Sequence, residues 1–153
     1  MRVWRVAVGA NGGLDGEGAR LYGGRWNSEG TALVYAATHL SLAILEVLVH
    51  VPPNLWPDQT QAFSITLPEG AVIDNLEDDD MIPTRPEDYR SFGDGWVVRG
   101  RAQAIRVPSV IVPRALGSAR TDEANVLLNP AFAADWHIDA APFRLDQRLR
   151  RRD

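Results

Sequence analysis

Between Gly23 and His50 the chain carries three polar groups in settings that do not welcome them. Arg25 lies in the glycine-flanked run Gly23-Gly24-Arg25-Trp26-Asn27-Ser28-Glu29-Gly30, and Tyr35 lies among small residues in Val34-Tyr35-Ala36-Ala37. Glu46 interrupts the apolar run Leu42-Ala43-Ile44-Leu45-Glu46-Val47-Leu48-Val49-His50. One guanidinium, one phenol and one carboxylate thus fall within 22 residues. Such groups are costly to bury alone, so the fold must either satisfy them mutually or hold them for a ligand. A ligand carrying both phosphate and an aromatic ring would suit all three.

The elements around this segment are read from hydrophobic period and punctuation. Met1 to Val8 alternates and reads as a strand, Gly9 to Gly24 as a long glycine-rich loop, and Thr31 to Ala37 as a second strand. In that second strand Leu33 and Tyr35 share one face, while Ala32, Val34 and Ala36 share the other. Thr38 is placed to cap a helix running to His50, which Pro52-Pro53 stops. Phe63, Ile65 and Leu67 mark a third strand and Ala71 to Asn75 a fourth. Glu77 to Asp94 reads as acidic loop with one helical turn near Glu87 to Phe92, followed by a short helix over Val97 to Ala104. Ala104 to Val112 is β-branched, and Pro108 within it predicts an edge or a bulge, which puts Ser109 at an irregular point. Asn125 to Leu128 and Phe143 to Leu145 read as further short strands, separated by an Asn129-Pro130 turn. No repeat or linker interrupts the 153 residues. The expectation is one compact α+β domain over 1–153, with a mixed or antiparallel sheet and short helices.

Composition removes several chemistries. Cysteine is absent, which excludes disulfides, thiolate metal sites and a thiol nucleophile. All sixteen basic residues are arginine, so Schiff-base chemistry and a Walker-type lysine are also excluded. His39 and His137 lack metal-ligand spacing partners, and no metal site is expected. No Gly-x-Ser-x-Gly elbow supports a hydrolase triad, and Gly16-Glu17-Gly18 lacks the third glycine of a dinucleotide fingerprint. Met1-Arg2-Val3-Trp4-Arg5 carries charge where a signal peptide would be apolar, and no apolar run nears the ~20 residues of a membrane span. A soluble cytoplasmic protein is the simplest reading. With a net charge of −4 the surface as a whole is no nucleic-acid footprint. The basic tail Arg144, Arg148, Arg150, Arg151 and Arg152 and the acidic cluster Glu77-Asp78-Asp79-Asp80 read as solvated runs.

Helical spacing puts Ala43, Glu46, Val47 and His50 on one stripe, with Glu46 and His50 as i, i+4 neighbours. Arg25, after two glycines, offers a planar fork that can clamp a pyrophosphate or carboxylate where the backbone approaches closely. Tyr35 leaves room for a flat ring to stack on it.

These residues resemble the RES domain family, the toxins of Xre-RES toxin-antitoxin modules. The motifs that carry the resemblance are Gly23-Gly24-Arg25-Trp26-Asn27, Val34-Tyr35-Ala36-Ala37, Leu42 to His50, Val107-Pro108-Ser109, Asn129-Pro130 and Asp146-Gln147-Arg148-Leu149, in that order and over nearly the whole chain. Two departures are Glu29, where a proline is common, and Asn75 to Asp80, which matches no motif. The resemblance implies a fold similar to ADP-ribosyltransferase toxins and depletion of NAD+ until growth stops. Arg25, Tyr35, Glu46 and Ser109 match the family's catalytic positions, with Arg25, Trp26, Asn27, Tyr35 and His50 expected along bound NAD+. NAD+ would be substrate, with no cofactor. The implied partner is a helix-turn-helix antitoxin of Xre type, forming a hetero-oligomer with the toxin; it, and not this chain, would bind operator DNA.

The expected reaction breaks the nicotinamide-ribose bond through an oxocarbenium-like ribosyl cation, which the Glu46 carboxylate would stabilise. Ser109 would hydrogen-bond the nicotinamide amide or position the attacking water or phosphate. If Glu46 is unpaired in its pocket, alanine there should cost little stability. Hydrolysis, phosphorolysis and ADP-ribosylation of a specific protein use the same four residues, so all three stay open. A non-catalytic nucleic-acid module acting through Arg148 to Arg152 is the alternative of another class.

Overall fold

A computed structural model describes residues 1–8, 13–52, 60–76, 85–112 and 121–150. Seven strands form one mixed sheet: β1 (Arg2–Val8), β2 (Val34–Ala37), β3 (Thr60–Thr66), β4 (Ile73–Asn75), β5 (Ala104–Val107), β6 (Asn125–Leu128) and β7 (His137–Phe143). Their order is β4-β5-β6-β2-β1-β3-β7, with every neighbouring pair antiparallel except β4 and β5. Among the described residues, three α-helices accompany them: α1 (Glu17–Tyr22), α2 (Leu40–His50) and α3 (Pro86–Arg99). The expected α+β domain with a mixed sheet is what the chain forms.

The sheet is not uniformly paired. β1 and β3 are in register along seven residues, from Arg2↔Thr66 to Val8↔Thr60, whereas β1 and β2 meet at one register pair, Trp4↔Ala37. β1 and β2 part beyond that point, and α2 packs over the parting on β1 and β2. Apolar side chains alternate across the sheet as the period of two requires. Val34, Ala36, Val126, Leu128, Val3 and Ile65 pack on one face around Trp136, and Leu33, Ile105, Val107 and Leu127 pack on the other under Tyr89 and Trp96 of α3. A third cluster joins Val6 and Ala37 to Leu42 and Ala43 of α2.

Several expectations need correction. The glycine-rich segment is not all loop: α1 forms between Gly16 (φ 71) and Gly23 (φ 66), with Arg20 paired to Glu17 at 2.6 Å. Thr38 does not cap α2. His39 holds the cap position with no side-chain capping bond, and the Thr38 hydroxyl accepts from the Ala124 amide at 3.0 Å, which ties the start of α2 to the residue before β6. Where a loop turn and a separate later helix were expected, α3 runs unbroken from Pro86 to Arg99 and closes on Gly100 in the left-handed region. β5 stops at Val107, immediately before Pro108, so Ser109 lies just past a strand end. Asn129 caps a 3-10 helix (Pro130–Asp135) by accepting from the Ala131 amide, and β7 begins earlier than expected, at His137. β7 is exposed along most of its length and has no apolar alternation to betray it; Pro142 is tolerated because β7 is the edge strand. The acidic cluster 77–80 and Arg151 and Arg152 lie outside the described residues.

Candidate active site

The parting of β1 and β2 opens a cavity of about 320 Å³ under α2. Ala43, Glu46, Val47 and His50 of α2 all line it, so the helical stripe read from spacing is the stripe that faces the cavity. Trp4, Arg5, Tyr35, Ala36 and Asn125 supply the rest of the principal walls.

Glu46 is the chemical centre of this cavity. Its Oε1 accepts from Ser109 Oγ at 2.6 Å and from Asn125 Nδ2 at 2.7 Å, contacts that span 63 and 79 residues of sequence. Its Oε2 lies 3.6 Å from His50 Nε2, whose ring is largely exposed at the cavity rim. The carboxylate is therefore paired, not free. Alanine at 46 would strand two donors in a nearly buried place, at a cost of about 1–3 kcal/mol, which corrects the expectation that such a change is neutral. Ser109 Oγ also accepts from the Ile111 amide at 2.9 Å. A hydroxyl has one proton to give, and here it goes to Glu46. In this arrangement Ser109 ties the Glu46 carboxylate to the segment that follows β5.

Tyr35 presents its residue to the cavity but commits its hydroxyl elsewhere. The hydroxyl accepts from the Trp26 amide at 3.0 Å and donates to Asn27 Oδ1 at 2.7 Å. Asn27 is fully buried, and its Nδ2 donates to the carbonyls of Ala19, Ser28 and Thr31. Trp26 is 2% exposed and meets Tyr89 and Phe92 edge to face. Trp26 and Asn27 therefore have little surface for a ligand, and their part is to shape the loop that carries Arg25. The Gly24 Cα approaches the Tyr35 hydroxyl so closely that an added Cβ would overlap it. Arg25 does not line the Glu46 cavity: its guanidinium lies over the Tyr89 ring, 4.6 Å from the centroid, on the exposed side of the loop. The structure thus joins Glu46, Ser109 and His50 directly, puts Tyr35 on the same wall, and leaves Arg25 one loop away.

Burial pushes the Tyr35 phenol up to about 12, against the opposing pull of the Trp26 amide. The folded state then holds this proton more tightly than the unfolded chain, whose phenol titrates near 10. Stability from this source is full below pH 10 and is lost as pH rises through 12, by about 2–3 kcal/mol. Tyr35→Phe should be less stable than the parent at pH 7 by about 1–3 kcal/mol, through the stranded Trp26 amide and Asn27 carbonyl. Denaturant midpoints measured from pH 7 to 12 should show that gap closing above pH 10; a gap constant with pH would show that the phenol does not hold its proton.

Two cavity residues escaped sequence reading. Arg5 is largely buried; its Nη1 donates to the Tyr35 carbonyl at 2.9 Å, while its Nε has no partner among the described residues. Burial lowers its pKa, with Asp15 opposing. A signal existed in the sequence, since Arg5 breaks the buried parity of Val3 and Ala7 on β1. Asn125 had no such signal, because an asparagine at a strand start reads as punctuation.

The seven-stranded mixed sheet with helices packed on it is a fold found among solved structures. A chain of the M. tuberculosis MbcT-MbcA toxin-antitoxin complex shares it with a TM-score of 0.66 at 17% identity, covering 98% of this chain and 86% of that one. Residues 2–146 match the RES domain, and the chain belongs to the RES domain family. Among its relatives, Toxin Res of Photorhabdus laumondii is 38% identical over 143 residues, spanning 88% of this chain and 86% of that protein. The Prs ADP-ribosylating toxin of a Sphingobium species is 36% identical over 152 residues, spanning 92% and 89%. Among the described residues no helix is long and apolar enough to cross a membrane.

Proposed function

We propose that this RES-domain toxin arrests growth by consuming NAD+, cleaving the nicotinamide-ribose bond by hydrolysis or phosphorolysis, and that an Xre-type helix-turn-helix antitoxin restrains it. The observation that carries the reading is the Glu46 carboxylate, held by two neutral donors on one oxygen in a cavity of about 320 Å³. Cleavage sends the electron pair of the C1′–N bond to the pyridinium nitrogen, so nicotinamide leaves neutral and needs no strong general acid. Positive charge builds on the ribosyl carbon and its ring oxygen, and a carboxylate fixed beside them stabilises it. Water or phosphate then forms the new bond to C1′. Arg5, on the cavity wall, and Arg25, on its glycine-flanked loop, are the cations we assign to the pyrophosphate.

A second reading has a specific observation behind it. The Sphingobium relative is named for ADP-ribosylation, and at 36% identity it supports transfer to a protein acceptor as the alternative. Incubating the purified protein with NAD+ alone separates the two. The expected result is loss of NAD+ with release of nicotinamide, giving ADP-ribose in phosphate-free buffer and a phosphorylated ADP-ribose if phosphate is the acceptor. Stable NAD+ until a protein acceptor is added would replace the first reading by the second.

A further inference from the structure

Both hydrogen-bond donors on Glu46 grip the same oxygen, and one of them, Asn125, is a residue whose own bonding is left incomplete. We propose that Asn125 is a positioning residue for Glu46: it fixes the rotation of the carboxylate so that Oε2 is the oxygen presented to the reacting sugar. This deepens the NAD+ reading and rests on it.

The orientation of the Asn125 amide follows from chemistry. A carboxylate only accepts hydrogen bonds, so the atom 2.7 Å from Glu46 Oε1 must be the NH₂ group. The carbonyl oxygen, Oδ1, then points away, where it is buried and has no donor among the described residues. A buried carbonyl without a donor is unfavourable, and an apolar side chain of similar size would avoid the loss. Stability therefore does not account for an amide at this position, whereas donation to Glu46 does.

The donor is also rigidly mounted. Asn125 is the first residue of β6, in register with Ala37 of β2 on one side and Val107 of β5 on the other. Ser109, the second donor, sits beyond the end of β5 and is held through its own contact with the Ile111 amide. Two donors from separate segments on one oxygen stop the carboxylate from turning about its last torsion. A charge held in this way stabilises a developing cation without having to reorganise during the reaction.

The experiment compares Asn125→Leu, which keeps the branching at Cγ and removes the donor, in the parent and in a Glu46→Gln background. The expected result is a fall in kcat for NAD+ of about 10- to 100-fold with KM changed less than about 3-fold, and a melting temperature retained or raised. In the Glu46→Gln background the same change should cause no further loss, because the residue acts through the carboxylate. Unchanged kcat, a rise in KM alone, or losses that multiply in the double variant would overturn the proposal. If Asn125→Leu does not fold, Asn125→Ala carries the same comparison. If the parent does not consume NAD+ at all, the substrate reading fails separately, and the cycle is read from growth arrest on expression. Arrest must then weaken in Asn125→Leu and be no weaker in the double variant than in Glu46→Gln alone; full arrest in Asn125→Leu would overturn the inference there too.

Discussion

Glu46→Gln is expected to reduce NAD+ consumption by about 10²- to 10³-fold and to abolish growth arrest, while the protein melts within a few degrees of the parent. Glutamine keeps an oxygen that can accept from Ser109 Oγ and Asn125 Nδ2, the two donors now on Oε1, so the local hydrogen bonding survives. What it removes is the negative charge facing the cavity. The reaction places positive charge on the ribose only in the transition state, so the loss should appear in kcat more than in KM. The comparison with alanine sharpens this. Glu46→Ala removes charge and acceptor together, strands both donors, and should be both inactive and less stable. NAD+ consumption by Glu46→Gln at the parent's rate would remove Glu46 from the chemistry.

The largest effect on stability is expected from a single methyl group far from the chemistry. Gly93 lies inside α3, where glycine is normally the poorest choice after proline and alanine would gain about 1 kcal/mol. Here the sign should reverse, because a Cβ at Gly93 would fall on the Trp26 carbonyl oxygen. Backbone cannot rotate aside as a side chain can, so α3 must lift from the loop that holds Arg25, Trp26 and Asn27. Gly93→Ala should destabilise the protein by about 3 kcal/mol or more, lowering its melting temperature by roughly 6–12 °C. Gly95, two residues on, is the control. Its Cβ would meet only the flexible end of Arg99 at 3.3 Å, and Gly95→Ala should be neutral or slightly stabilising. Equal melting temperatures for the two variants would contradict the close packing of α3 on the loop. Because Tyr35 reaches the same loop through its hydroxyl, Gly93→Ala should also weaken NAD+ consumption in the protein that remains folded.

Local order was legible in the sequence wherever one period decided it. The alternation in β1 and β3 and the apolar stripe of α2 depend on neighbours a few residues away, and those neighbours are in the text of the chain. That is why Ala43, Glu46, Val47 and His50 could be assigned to one face and are found facing one cavity. It is also why the three polar groups between Arg25 and Glu46 could be recognised as needing partners. α3 was legible only as a turn near Glu87 to Phe92, for the opposite reason: Gly93-Asp94-Gly95 breaks the helical pattern locally, and only the approach of the Trp26 backbone explains why glycine is required there. Asp94 likewise looked like a loop residue, yet it accepts from the Ser28 amide at 2.9 Å and joins α3 to the arginine loop.

Helical period and glycine punctuation suffice to put a carboxylate on an otherwise apolar helix face and a guanidinium on a glycine-flanked loop. What they meet depends on how the whole chain packs. That packing parted β1 from β2 to make the cavity, brought Ser109 and Asn125 to Glu46 across 63 and 79 residues, and turned Arg25 onto Tyr89 and not toward Glu46. The physical reason is that period and propensity act over one or two turns of chain. The partners of a buried polar group are chosen by which distant segments pack beside it, a choice made by the apolar core as a whole.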